Sequence, residues 1–180
     1  MKHPARIVAL AVALVVVVLG VVLALNIGSD PQQDAKQSQL VGKAAPNFDL
    51  PNLAGGRVTL ADVAGKSLIV NFWNSWCIPC QQEEPTLQKF YAEHKDDTDF
   101  AMIGIVRDDE TQTVRAYVRD NGVDWTVALD PKDEAALAFA TRGQPETYAV
   151  SPSGVVAAAN IGPMSQRGLE LFLNAARVSG

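Results

Sequence analysis

Residues 67–73, Ser-Leu-Ile-Val-Asn-Phe-Trp, constrain the fold of this chain more than any other stretch. A short, nearly continuous apolar run between turn signals reads as a strand covered on both faces. It stops at Asn74-Ser75, and Pro79 then opens a helix that runs to about Lys95. Leu87, Phe90 and Tyr91 share one face of that helix, and Pro85 inside it is expected to kink it. A buried strand that turns directly into a helix implies an α/β architecture, with helices packed on a sheet.

The rest of the chain extends that pattern. Phe48–Leu50 and Val58–Leu60 flank a turn containing Gly55-Gly56 and read as a short hairpin. Phe100–Val106 is a second buried strand, and Asp109–Asn121 a helix stopped by Gly122. Trp125–Leu129 is a third strand. Asp133–Thr141 is a short Ala-rich helix ended by Gly143. Thr147–Val150 and Val155–Asn160 form a hairpin across Ser151-Pro152-Ser153-Gly154. Ser165 caps a final helix that reaches about Val178. Strands alternating with helices and closed by a hairpin give a central mixed β-sheet with helices on both faces.

The first residues are of another kind. From Ile7 to Leu25 every residue but Gly20 is apolar, a length that spans a bilayer core as a helix. Lys2 and Arg6 precede the run, and no acidic residue occurs before Asp30. Positive charge stays on the cytoplasmic side. Residues 1–6 are therefore expected in the cytoplasm, 7–27 as a single-pass signal-anchor in the cell membrane, and 46–180 outside the cytoplasm. A cleaved signal peptide fits less well, because the run ends in Leu-Ala-Leu-Asn-Ile-Gly, a poor cleavage site. Residues 28–45 are polar, without hydrophobic periodicity, and read as a flexible linker spanning roughly 25 Å.

Without Lys2 and Arg6, the chain's 15 Lys and Arg residues leave a net charge of −7 against its 20 Asp and Glu. That opposes nucleic-acid binding and provides no polybasic membrane patch.

The only cysteines stand in Trp76-Cys77-Ile78-Pro79-Cys80. A zinc site needs four ligands, and beyond the anchor there is one such pair and one histidine, His94, so no metal is expected. A purely structural disulfide would close too short a loop to stabilise the fold much. A redox pair fits best. At a strand-to-helix turn, free N–H groups and the helix dipole favour a thiolate on Cys77. Cys77 precedes the first turn and is expected to be the exposed nucleophile. Cys80, inside that turn, is expected to be the resolving thiol. Exchange then passes through a mixed disulfide between Cys77 and the substrate. No cofactor is expected beyond this redox-active disulfide.

Asn71 to Glu83 (Asn-Phe-Trp-Asn-Ser-Trp-Cys-Ile-Pro-Cys-Gln-Gln-Glu), together with Gly143-Gln144-Pro145-Glu146-Thr147 and the opening Gly42–Leu50, resembles the thioredoxin fold. More narrowly it resembles the extracytoplasmic TlpA/ResA/CcmG (DsbE) group, over residues 42–178. The resemblance implies a thiol–disulfide oxidoreductase. It implies that Pro145 is a cis-proline beside the disulfide, where a backbone edge is offered to the substrate, with Gln144 and Trp76 as further substrate-binding candidates. Gln144 departs from the small or apolar residue common at its position. The resemblance also implies that Glu83 is a half-buried carboxylate of raised pKa, serving Cys80 as proton acceptor. Glu84 beside it is expected to be solvated. Asn71 stands where cytosolic thioredoxin has a buried aspartate, which leaves Glu83 as the proton acceptor. Trp73 and Trp76 are expected to pack around the site. Residues 108–130 match the helix–strand insertion of the group.

Partners implied by the resemblance are protein thiols and disulfides, an apocytochrome c with its haem-attachment CxxCH among them, and a membrane electron donor of the CcdA or DsbD type. Two readings stay open beside a reductase, and a third is excluded. An oxidant of secreted proteins would use the same pair in the opposite direction. A non-catalytic holdase would bind substrate along the Pro145 edge without needing Cys77. A peroxiredoxin requires P-x-x-x-T-x-x-C, but Val70 and Asn74 occupy the two marker positions.

Overall fold

The computed structural model describes residues 12–18 and 38–179. Residues 12–18 are helical. The remainder of the expected membrane span over 7–27 lies outside the described residues. Among the described residues no helix is long and apolar enough to cross a membrane.

The chain from Gln37 onward is a unit of its own. It contains seven strands: β1 (Asp49–Pro51), β2 (Arg57–Thr59), β3 (Ser67–Trp73), β4 (Phe100–Arg107), β5 (Thr126–Asp130), β6 (Glu146–Val150) and β7 (Val156–Ile161). Four helices accompany them: α1 (Ile78–His94), α2 (Thr111–Asn121), α3 (Glu134–Ala138) and α4 (Gln166–Val178). A 3-10 turn, Leu60–Val63, follows β2.

β3 to β7 form one mixed sheet in the order β5-β4-β3-β6-β7, with β3, β4 and β5 parallel and β6 and β7 antiparallel to their neighbours. The run that dominated the sequence, β3, is central and buried along its whole length. Period-two alternation splits its side chains. Leu68, Val70 and Phe72 join Ile103, Ile105, Tyr148 and Phe139 on one face, beneath α3 and the β1–β2 hairpin. Ile69 and Trp73 join Met102, Val106, Leu87, Phe90, Leu169 and Leu173 on the other, beneath α1, α2 and α4. The result is the thioredoxin fold, a mixed sheet flanked by helices, with α2 and β5 added at the β4 edge.

Two sequence expectations are corrected. Residues 42–45 read in the sequence as the end of a linker, but in the fold their backbone groups pair with the start of β7. Gly42 N donates to Val156 O (2.8 Å), Val156 N to Lys43 O (2.9 Å) and Ala45 N to Gly154 O (2.8 Å). Gly143 does not end α3. Ala140, at φ 51°, takes the left-handed position, and Thr141 N donates to Ala136 O (2.9 Å). The first helix opens at Ile78-Pro79 and ends at His94, close to the expected bounds, with Pro85 inside it.

Candidate active site

Cys77 and Cys80 form a disulfide where β3 passes into α1. Cys77 is the N-cap residue, and Cys80 N–H donates to its Sγ at 3.2 Å. Cys80 sits in the first helical turn. The expectation of an exposed Cys77 is not met in this disulfide state. Cys77 is only 5% and Cys80 only 4% exposed, while their neighbours Trp76 and Ile78 are 58% and 66% exposed. The two thiols therefore differ in helix position, not in overall accessibility. The exposed residues on either side of Cys77 in the chain are thus a tryptophan and an isoleucine.

The turn that delivers Cys77 is held by the loop after β4. Asn74, fully buried, directs its amide to the carbonyls of Arg107 and Asp108. Ser75 N donates to Asp109 Oδ2 (2.7 Å), and Trp76 Nε1 donates to Asp108 O (3.2 Å). From the helix side, Gln81 Nε2 donates to Ser75 O (2.7 Å). Trp76 thus lies at the surface beside the pair, whereas Trp73 is buried in the core face beneath α1 and α2.

The Gln144–Pro145 peptide bond is cis, as expected. Register places Pro145 at the site: β6 begins at Glu146 opposite Phe72, so Pro145 falls beside Trp73 at the end of β3 that leads to Cys77. Pro145 is buried and Gln144 half-buried. Pro145 O is already used by Gly162 N–H (2.8 Å). Glu146 turns to the opposite face, where Arg142 N (2.8 Å) and the Tyr148 hydroxyl (2.6 Å) donate to its carboxylate.

Glu83 lies three residues beyond Cys80, hence on the same helix face. It is more deeply buried than expected, at 2% exposure. Met164 N donates to Oε1 (2.7 Å), and Asn71 Nδ2 approaches Oε2 (3.4 Å) while also donating to Thr147 Oγ1 (2.9 Å). Burial pushes the Glu83 carboxyl up to about 7, the Met164 and Asn71 hydrogen bonds oppose that rise, and Glu84 adds to it.

Glu84, expected to be solvated, is 6% exposed, and burial raises its pKa as well. The cause is α2, which covers this flank of α1. Gln88 Nε2 bridges Glu84 Oε1 (3.1 Å) to Asn121 O at the end of α2 (2.6 Å). His94 is engaged elsewhere, between Asp97 (2.9 Å) and Glu170 (3.0 Å).

Sequence reasoning missed Asn74, Asp109 and Met164. Asn74 and Asp109 are short polar residues at element ends, a common loop signal that does not say what they hold. Met164 contributes only a backbone N–H, 81 residues from Glu83, and no local pattern marks it.

The comparisons with known proteins fit this geometry. Residues 41–159 match the AhpC/TSA family. Those residues include Cys77, Cys80, Glu83 and Pro145. ResA, a thiol–disulfide oxidoreductase of Bacillus thuringiensis (strain Al Hakam), is 29% identical over 77% of this chain and 79% of its own. The thioredoxin-like protein YneN of Bacillus subtilis (strain 168) is 29% identical over 74% of this chain and 78% of its own. Among solved structures, a putative DsbE thiol:disulfide interchange protein of Chlorobium tepidum superimposes with a TM-score of 0.70 at 29% identity, over 76% of this chain and 96% of that one. The chain belongs to the AhpC/TSA family, and within it is a thiol–disulfide oxidoreductase of the ResA and DsbE type.

Proposed function

We propose that this protein reduces disulfides of other proteins outside the cytoplasm, tethered to the cell membrane by residues 7–27. The observation that carries the exchange chemistry is the Cys77–Cys80 disulfide at the N-terminus of α1, with the buried Glu83 carboxyl, pushed up to about 7 by burial, on the Cys80 face of the same helix. A group that is half protonated near neutral pH can both take and return a proton.

In the proposed cycle the Cys77 thiolate attacks one sulfur of a substrate disulfide, and the other substrate sulfur leaves as a thiolate. Cys80 then gives its proton to Glu83 and attacks the Cys77 sulfur. The second substrate thiolate departs and is protonated. Two electrons have passed to the substrate, and the Cys77–Cys80 disulfide remains. A membrane dithiol donor of the CcdA or DsbD type restores the pair. The cis-Pro145 edge, Gln144 and the exposed Trp76 flank the substrate. An apocytochrome c with an oxidised CxxCH is the substrate this reading favours.

Two measurements test it. Cys80→Ser should accumulate mixed disulfides with substrate and Cys77→Ser should not; the reverse pattern would exchange the two roles. The reduction potential tests direction. A value near that of thioredoxin, about −270 mV, supports a reductant, and one near about −120 mV would make the protein an oxidant. Full complementation by a chain with serine at both cysteine positions would support the holdase reading instead.

A further inference from the structure

We propose that Asp109 is a positioning residue for the exchange reaction: it fixes the turn that presents Cys77, and its negative charge weighs against the Cys77 thiolate. The proposal rests on Cys77 being the attacking thiol.

The geometry is specific. Asp109 Oδ2 accepts the backbone N–H of Ser75 at 2.7 Å, two residues before Cys77. The same turn closes on itself through Cys77 N–H to Asn74 O at 3.3 Å. A chain folded that tightly keeps the Asp109 carboxylate within about 10 Å of the Cys77 sulfur, roughly one Debye length at physiological salt. Ser75 and Asn74 are buried, so part of the intervening space is protein rather than water. The interaction is screened less than one across the surface.

No cation in this loop offsets the charge. Arg107 opens it, but its guanidinium is paired with Asp133 through two hydrogen bonds, at 2.9 and 3.1 Å. Asp108 and Glu110 are exposed on either side of Asp109. Among the other groups, α1 contributes the buried Glu83 and Glu84, while Glu146 of β6 faces the opposite side of the sheet. Against these stand the N-terminus of α1 and the Cys80 N–H at 3.2 Å from Cys77 Sγ, both of which favour the thiolate. The helix end promotes ionisation and the β4–α2 loop moderates it. Less thiolate stabilisation in the reduced form means a pair that gives up its electrons more readily, because stabilising the reduced form is what makes such a pair oxidising.

The test separates charge from geometry. Asp109→Asn keeps an oxygen that can accept from Ser75 N and removes the charge. It should lower the Cys77 thiol pKa by roughly half to one unit, a three- to tenfold gain in thiolate below that pKa, with the unfolding midpoint near wild type. Above the thiol pKa, the reduction potential should rise by up to about 30 mV, the equivalent of tenfold in the exchange equilibrium. Asp109→Ala should show the same shift and also lose stability, since Ser75 N–H is left without its acceptor. Asp120→Asn, on the exposed end of α2, should change neither quantity. An unchanged Cys77 pKa in Asp109→Asn overturns the proposal while leaving the catalytic assignment intact. If the reactive thiol of the wild-type domain proves to be Cys80, it is the reading under Proposed function that fails.

Discussion

Asn71 shows how one residue supports a titrating neighbour without titrating. Its amide Nδ2 serves both Glu83 and Thr147, and its Oδ1 is buried without a partner. A rotated amide would place that oxygen toward a protonated Glu83, with the Thr147 hydroxyl as a second donor. Either charge state of Glu83 thus has a polar partner, which an aspartate at this place would not provide.

The consequence for stability has a definite sign. Burial pushes the folded Glu83 carboxyl up to about 7 from its ordinary value of 4.5. Below pH 4.5 it is protonated in both states and costs nothing. Between the two values the unfolded chain releases the proton first, so folding stability falls as pH rises, by about 3 kcal/mol in all. Glu83→Gln should remove most of that slope. Urea unfolding at pH 5 and pH 8 should show the variant gaining on wild type at the higher pH, while thiol exchange slows and loses its pH dependence near 7. Glu93→Gln, an exposed position on the same helix, is the control. Glu84 is unsuitable because it is buried under α2. A stability difference that does not change with pH would mean that Glu83 does not titrate in this range.

Among the elements, β4 meets α1 and α2 through Gly104. A Cβ built there would lie 2.7 Å from Trp73 Nε1 and 3.0 Å from Trp125 Nε1. Both indoles are buried, and Trp73 also packs against Tyr117 of α2 with ring centroids 5.2 Å apart. Neither ring can give way without disturbing the helices above it. Gly104→Ala should therefore cost about 1–3 kcal/mol by overpacking. It should also quench or shift the tryptophan fluorescence, since two of the three tryptophans move. A variant as stable as wild type, with an unchanged spectrum, would show that the indoles are freer than the packing implies. Gly104 reads in the sequence only as a break in an apolar run.

At the scale of the whole molecule, the sheet hides both of its outer edges in part. Residues 42–45 lie along the start of β7. The β1–β2 turn reaches β5, with Leu53 N donating to Val127 O (2.8 Å) and Asn52 bridging Ala128. Covered edges deter pairing with other chains. They also place the beginning of the folded unit. If residues 7–27 anchor the protein with its catalytic unit outside, protease added to spheroplasts should cut before Gly42. It should release a soluble fragment that retains thiol exchange. Protection of the full-length chain, or a fragment that starts well inside β1, would contradict the proposed arrangement.

The sequence by itself determined the class of fold and the redox pair, and its resemblance to a known family pointed to the cis-proline. These depend on signals that are local or borne by a shared motif: a buried apolar run, two cysteines at a helix start, a Pro-x-Thr before a strand. The Ser165 cap was legible for the same reason, since its partner Gly168 is three residues away. What only the tertiary structure decided involves groups distant in the chain. Glu84 looks like a surface charge until α2 is laid across it. Residues 42–45 look like linker until β7 offers its edge. Ala140 takes the left-handed place that Gly143 seemed suited to, because Thr141 can bond back to Ala136. Asp109 and Met164 acquire their part only when loops 34 and 81 residues from their partners arrive beside them. Burial and long-range hydrogen bonding depend on what packs nearby, and a residue's own neighbours in sequence carry little of that information.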